Sequence, residues 1–200
     1  MISRSSALFG LVAAAGIAAW PAAASATTLG GGADNVVALS EVGNQPPASR
    51  AQLQIAYASA PNIGNDNISS ALARDCTGCR VGTAAVQIVL VESPSPSLVA
   101  PLNSAMAGKA DCNGCSTFAF AYQDVIWVAR PVALGAGAIA RLNLIEGQMS
   151  SVVATAYSPA QAAAQLNSLS QEAVSIVNAD LASAGASPLS QSAHEQAQAS

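Results

Sequence analysis

The chain has 200 residues, a formal net charge of −4, 52% hydrophobic residues and only 9% charged ones. Nucleic acid and anionic lipid both need clustered cations, so seven Lys and Arg over this length make poor partners for either. Much of the hydrophobic count is alanine, which buries little area, and the composition reads as an exported bacterial protein with a neutral polar surface.

The segment from Met1 to Ala26 has the form of an export signal. Arg4 lies in a short polar start, an apolar run follows from Ala7 to Trp20, and Ala24-Ser25-Ala26 supplies small residues for cleavage before Thr27. That run falls short of the roughly 20 residues a membrane helix needs. No later segment reaches that length without Gln, Asp, Arg or Pro, so the expected mature chain is secreted or extracytoplasmic, with no membrane anchor. Cleavage after Ala26 leaves Thr27 to Ser200, enough for one domain, and takes the charge from −4 to −5 because Arg4 goes with the signal.

Residues 27–33 carry three consecutive glycines and are expected to form a flexible lead-in to a single domain over 34–185. Asn35 to Leu39 reads as a short strand. Ala51, Leu53, Ile55 and Tyr57 alternate with Gln52, Gln54 and Ala56, the period of a half-buried strand, and Gln45-Pro46-Pro47 fits the connecting turn.

The most informative feature is an internal repeat at an offset of 36 positions, covering 67–92 and 103–128. Asn67, Ala71, Asp75, Cys76, Gly78, Cys79, Ala85, Gln87 and Val89 meet the same residue types at Asn103, Ala107, Asp111, Cys112, Gly114, Cys115, Ala121, Gln123 and Val125. After each cysteine pair comes a strand rich in β-branched and aromatic residues, Ala84 to Val91 and Phe118 to Val128, and both are expected to be central. Before each pair, Asn67 to Arg74 and Asn103 to Ala110 suit a strand or a short helix. The first would pair back as a hairpin around Thr77-Gly78, where glycine takes the positive φ of a tight turn.

The last third changes period. Ile139, Leu142, Ile145, Met149, Val152 and Ala156 recur at helical spacing, and a second helix follows with Ser158 as cap, Pro159 at the first position, Gln161 completing a capping box and Gly185 at the C-terminus. Leu166, Leu169, Ala173, Val177 and Leu181 form its apolar stripe. Residues 186–200 are Ser, Gln and Ala with little to bury and are expected to be a disordered tail. The fold class is therefore α+β: a small β-sheet containing the two repeat strands, with C-terminal helices packed on it.

Four cysteines in an exported chain point to disulfides among Cys76, Cys79, Cys112 and Cys115. Two connectivities compete. Joining Cys76 to Cys112 closes a long loop worth roughly 4 kcal/mol, against about 2 kcal/mol for each short local loop. Local pairing has the simpler geometry, since a two-residue turn already sets the Cα separation a disulfide needs. A crossed arrangement would need the turns to meet at a pseudo-twofold axis.

Redox chemistry through Cys76 and Cys79 is the enzymatic rival, because Cys-x-x-Cys is the exchange spacing. Asp75 and Asp111 precede the first cysteines and oppose thiolate formation, and both pairs lead into strands where an exchange site would open a helix. Four thiolates could also hold zinc, but the stretch between Cys79 and Cys112 exceeds the usual spacing of such pairs. No catalytic residue, cofactor or metal is therefore assigned.

His194, the only histidine, falls in the tail, and His194-Glu195-Gln196-Ala197-Gln198 lacks the second histidine of a zinc-protease motif. Ser-His-Asp and Cys-His catalysis have no partner to draw on. Gln87 and Gln123 hold equivalent strand positions, for which an exposed face is the favoured reading and a hydrogen bond across the pseudo-twofold the alternative. Tyr122 and Trp127 read as core. Gly30-Gly31-Gly32 follows no strand and opens no helix, so it is not a phosphate loop.

Asp75-Cys76-Thr77-Gly78-Cys79, the strand Ala84 to Val91, the second pair and Ala119-Phe120-Ala121-Tyr122-Gln123 resemble a Cys-x-x-Cys repeat region of actinobacterial exported proteins. That region is similar to the part lying beyond the protease portion of peptide zinc metalloproteases, and the likeness covers about residues 33–160. It implies a module of undefined function, with a peptide or envelope component as partner class. The protease activity does not carry over, because the metal-binding helix and membrane spans have no counterpart here.

Overall fold

A computed structural model describes residues 28–31, 34–43, 46–59, 64–93, 102–156 and 158–200. The export signal, residues 27 and 32–33 of the lead-in and Gln45 of the first turn lie outside them. The elements run β1 (Thr28–Gly31), β2 (Asn35–Val42), β3 (Ala48–Ser59), β4 (Asn67–Arg74), β5 (Arg80–Glu92), β6 (Asn103–Ala110), β7 (Ser116–Val128), α1 (Ala136–Thr155), α2 (Pro159–Ser183) and β8 (Ser190–Ala199). The class is α+β, as expected.

The strands form two sheets rather than one: β1-β3-β5-β7-β8 and β2-β4-β6, parallel throughout except where β8 runs antiparallel to β7. Each short strand leads round a corner into a long strand of the other sheet, so β2–β3, β4–β5 and β6–β7 are three stacked coils of a solenoid. Registers such as Asn35↔Asn67↔Asn103 and Gln54↔Gln87↔Gln123 place like on like. The repeat is thus a translation along the stack, not a pseudo-twofold. The segment around Thr77-Gly78 turns between sheets, and β4 and β5 are not a hairpin.

The two central strands are buried on both faces, which is why β5 and β7 carry near-continuous apolar runs instead of alternation. Leu53, Ile55, Val86, Ile88, Phe120, Tyr122 and Ile126 point toward the helices and meet Leu142, Met149, Leu166, Val177 and Leu181. Ala71, Ala73, Ala105, Ala119, Ala121 and the cysteines fill the narrow space between the sheets. Alanine suits that layer because larger side chains would push the sheets apart. Trp127 and Tyr122 are core, at 4% and 5% exposure.

Both helices stand where the periodicity puts them. Gly82 on β5 permits the close approach of α1: a Cβ there would lie 2.8 Å from the Val153 carbonyl oxygen. Ser158 is the N-cap of α2 with Pro159 next, but the expected capping box is not formed, since no side chain bonds to the cap. The C-terminal signal is realised in full. Gly185 takes φ 68, with Gly185 N–H donating to Ala182 O and Ala186 N–H to Leu181 O. Asp180 of α2 accepts from Gly135 N–H at 2.8 Å and so caps α1 across the helix pair.

Two expectations about the ends are corrected. The tail is not loose: β8 pairs with β7 from Phe118↔Ala199 to Trp127↔Ser190, because the last parallel strand offers a free row of backbone groups that polar residues can bond without burying side chains. In the lead-in, Thr28–Gly31 forms β1 alongside Gln54–Tyr57. Among the described residues no helix is long and apolar enough to cross a membrane.

Candidate functional site

The coil corners carry the cysteines. Each corner opens on a left-handed residue, Gly43, Asp75 and Asp111 in successive coils, with φ of 73°, 52° and 50°. Gly43 N–H donates to Arg74 O and Asp75 N–H to Ala110 O, so these three residues are stacked equivalents. Aspartate tolerates this conformation better than most side chains, which gives the residue before each pair a backbone role. Gly78 and Gly114 take a second positive φ, 69° and 67°, before the chain enters the long strand.

The two pairs lie one above the other. Cys76 and Cys79 are at bonding distance with Cα atoms 6.2 Å apart, and Cys112 and Cys115 likewise at 5.9 Å, so local closure is the connectivity present. The backbone locks corner to corner: Asn113 N–H donates to Cys76 O at 3.1 Å, Gly78 N–H to Asn113 O at 2.8 Å and Ser116 N–H to Cys79 O at 2.8 Å. Stacking brings the sulfurs of different pairs together, Cys76 Sγ lying 3.3 Å from Cys112 Sγ and 3.6 Å from Cys115 Sγ. Cys76, Cys79 and Cys115 are buried and Cys112 is half-buried. Asp75 and Asp111 are exposed beside them, and each pair runs directly into a strand, β5 or β7, rather than into a helix.

Between the sheets run two amide ladders that sequence reasoning saw only in part. Asn35 Nδ2 donates to Asn67 Oδ1 at 2.8 Å, Asn67 Nδ2 to Asn103 Oδ1 at 2.7 Å, and Asn103 Nδ2 to His194 O at 2.9 Å. Asn67 Nδ2 also lies 3.0 Å from Ala85 O and from Tyr122 O, tying one sheet to the other. Gln123 Nε2 donates to Gln87 Oε1 at 2.7 Å, and Gln87 Nε2 to Gln54 Oε1 at 2.6 Å. Gln87 and Gln123 are fully buried, which corrects the exposed-face reading. A Cys-free first coil hid two members, Asn35 and Gln54. They sit at offsets of 32 and 33 from their partners rather than 36, so a gapless search misses them.

Buried ionisable groups complete the inventory. Desolvation pushes the Asp124 carboxyl up to about 6, partly offset by the Gln191 hydrogen bond, the His194 charge and the Val125 backbone. Gln191 Nε2 donates to Asp124 Oδ2 at 2.6 Å, and Asn178 Nδ2 donates to Gln191 Oε1 at 3.2 Å. Burial also raises Tyr122 to about 12, with the charges of Asp124 and Glu195 adding to it, and raises Glu41. The His194 side chain is exposed on β8, where its contribution is a backbone carbonyl.

These groups do not converge. Asp124 sits beside the β7–β8 ladder within the field of the exposed His194, and the cysteines stand apart at the start of β5 and β7. What the corner can do chemically is limited to sulfur: holding bridges, exchanging them, or ligating a soft ion. No protein-family profile, no curated protein and no solved structure matches the chain.

Proposed function

We propose that this chain is an exported, disulfide-closed solenoid module with a structural or binding role and no catalytic machinery. The observation that carries this reading is the closure of each Cys-x-x-Cys on itself at a corner between two sheets. There the flanking aspartates and the strand that follows each pair, in place of a helix N-terminus, disfavour the low thiol pKa that exchange chemistry needs. Buried amide ladders and an alanine-filled interior support a rigid scaffold. Export rests on the form of the segment from Met1 to Ala26, and an envelope or peptide partner on the resemblance to exported Cys-x-x-Cys repeat regions.

Intact mass of the naturally exported protein, taken with thiol alkylation before and after reduction, tests the proposal. The expected chain begins at Thr27, is four hydrogens lighter than its reduced form and takes up alkylating agent only after reduction. Thiol-disulfide exchange through Cys76 and Cys79 is the rival. Selective opening of that pair by mild reductant, with reduction of insulin by the opened protein, would establish it instead.

A further inference from the structure

We infer that, once both bridges are reduced, Cys76, Cys79, Cys112 and Cys115 form one four-thiolate site for a soft divalent cation of the zinc class. This goes beyond the scaffold reading and does not depend on export. Two Cys-x-x-Cys units are the ordinary ligand supply of such sites, and the objection from sequence was only the long stretch between them. The solenoid removes that objection by placing corner on corner, with Thr77 bridged to Asn113.

The sulfur geometry agrees in magnitude. A tetrahedron with metal–sulfur bonds of about 2.3 Å has edges of roughly 3.8 Å. Cys76 Sγ already stands 3.3 Å from Cys112 Sγ and 3.6 Å from Cys115 Sγ, and the sulfurs of Cys76, Cys79 and Cys115 all lie within 4.8 Å of one another. Reduction frees the Cys76–Cys79 and Cys112–Cys115 edges to open toward the same length, and Cys112, whose sulfur lies outside that group of three, must turn in toward Cys79 to complete the tetrahedron. The Asn113, Gly78 and Ser116 backbone bonds hold the corners in place independently of the bridges. Access is through a depression lined by Asp75, Cys76, Thr77, Asp111, Cys112 and Asn113, whose two carboxylates favour an arriving cation.

The chemistry balances with a dithiol or phosphine reductant. Each bridge accepts two electrons and two protons to give two thiols; a dithiol is oxidised to its disulfide and gives up both protons, and a phosphine is oxidised to its oxide with water supplying the oxygen and the protons. Metal binding then forms four metal–sulfur bonds and releases up to four protons.

Anaerobic titration of the phosphine-reduced full chain with Co²⁺ is the test. One equivalent should saturate a thiolate-to-cobalt charge-transfer band with the visible absorption of a tetrahedral site, and Zn²⁺ should displace it. Cys112→Ser should weaken binding by more than the roughly 10-fold to 100-fold that loss of an outer-shell partner costs. Native mass of the reduced wild-type chain needs no variant: one Zn²⁺ retained by the reduced chain and none by the bridged chain supports the site. No retained metal, two metals per chain, or no charge-transfer band at one equivalent overturns it.

Discussion

The two ends of the coil stack are finished differently. At the C-terminal end β8 covers β7 through a full ladder and reaches over to the other sheet, where Gln196 Oε1 accepts from Ala105 N–H and Gln198 Oε1 from Ala107 N–H. The asparagine ladder ends there on His194 O, so its last donor is used. At the N-terminal end, Asn35 Oδ1 and both carboxylate oxygens of Glu41 are buried without a hydrogen-bond partner among the described residues. A parallel stack leaves donors and acceptors at each end; here β8 matches the free edge of β6, while Gln123 Oε1, Asp124 Oδ1 and Trp127 Nε1 on β7 stay without a partner among the described residues. Side chains can therefore close a sheet edge as well as a strand can, provided their spacing equals the strand's period of two, as that of Gln196 and Gln198 does.

Removing the finished end should have the largest effect. A chain stopped after Pro188 loses the registered β7–β8 pairs from Phe118↔Ala199 to Trp127↔Ser190 and the glutamine caps on β6. At roughly 0.5 to 1.5 kcal/mol net per hydrogen bond, that is on the order of 5 kcal/mol or more, comparable to the whole stability of many domains. Thermal melts by circular dichroism should show a large drop, with aggregation through the bared β7 edge visible by size exclusion. A truncated monomer melting within about 5 °C of the full chain would mean that β8 contributes little.

The ladders sharpen the same comparison at the level of single residues. Asn67→Ala strips partners from Asn35, Asn103, Ala85 and Tyr122 at once, and should cost about 3 kcal/mol. Asn35→Ala, at the unfinished end, strips only Asn67 Oδ1 and Val86 O and should cost about 1 kcal/mol. Urea midpoints of the two variants give the contrast directly. Equal losses would show that the ladder does not act as a connected row.

How much of this was legible beforehand follows from what each pattern can encode. Both helices, the central strands and the cysteine units were readable because periodicity, glycine placement and a repeat at fixed offset are signals carried within the sequence itself. The second sheet was not, since the small residues of Asn67 to Arg74 suit several conformations, and only stacking against its copies selects the strand. The strand in the tail is hidden for a related reason. Gln196 and Gln198 look unable to bury anything, and their value lies in matching the free edge of β6, a partner far away in the chain. At the corner, the charges of Asp75 and Asp111 oppose thiolates, and the left-handed φ that these residues share with Gly43 adds a conformational role.

The finished end also encloses one charge, and this gives the smallest and most specific effect. Asp124 is fully buried beside the β7–β8 ladder, and its carboxyl titrates at about 6 against an ordinary 3.8. Between those values the folded chain holds a proton that the unfolded chain has lost, so stability falls as pH rises. The contribution is complete below about pH 4 and gone above about pH 6, a span worth at most about 3 kcal/mol. Asp124→Asn keeps an oxygen for Gln191 and carries no charge, so it should stabilise the protein at about pH 7.5 by about 1 kcal/mol, the remainder offset by an amide N–H where Asp124 Oδ1 has no partner. It should also flatten the stability profile between about pH 4 and 6. Urea unfolding of both proteins at about pH 4.5 and about pH 7.5 measures the difference. If the variant lost stability at the higher pH, or if the wild-type slope survived in it, the charge at the capped end would not be the group that titrates.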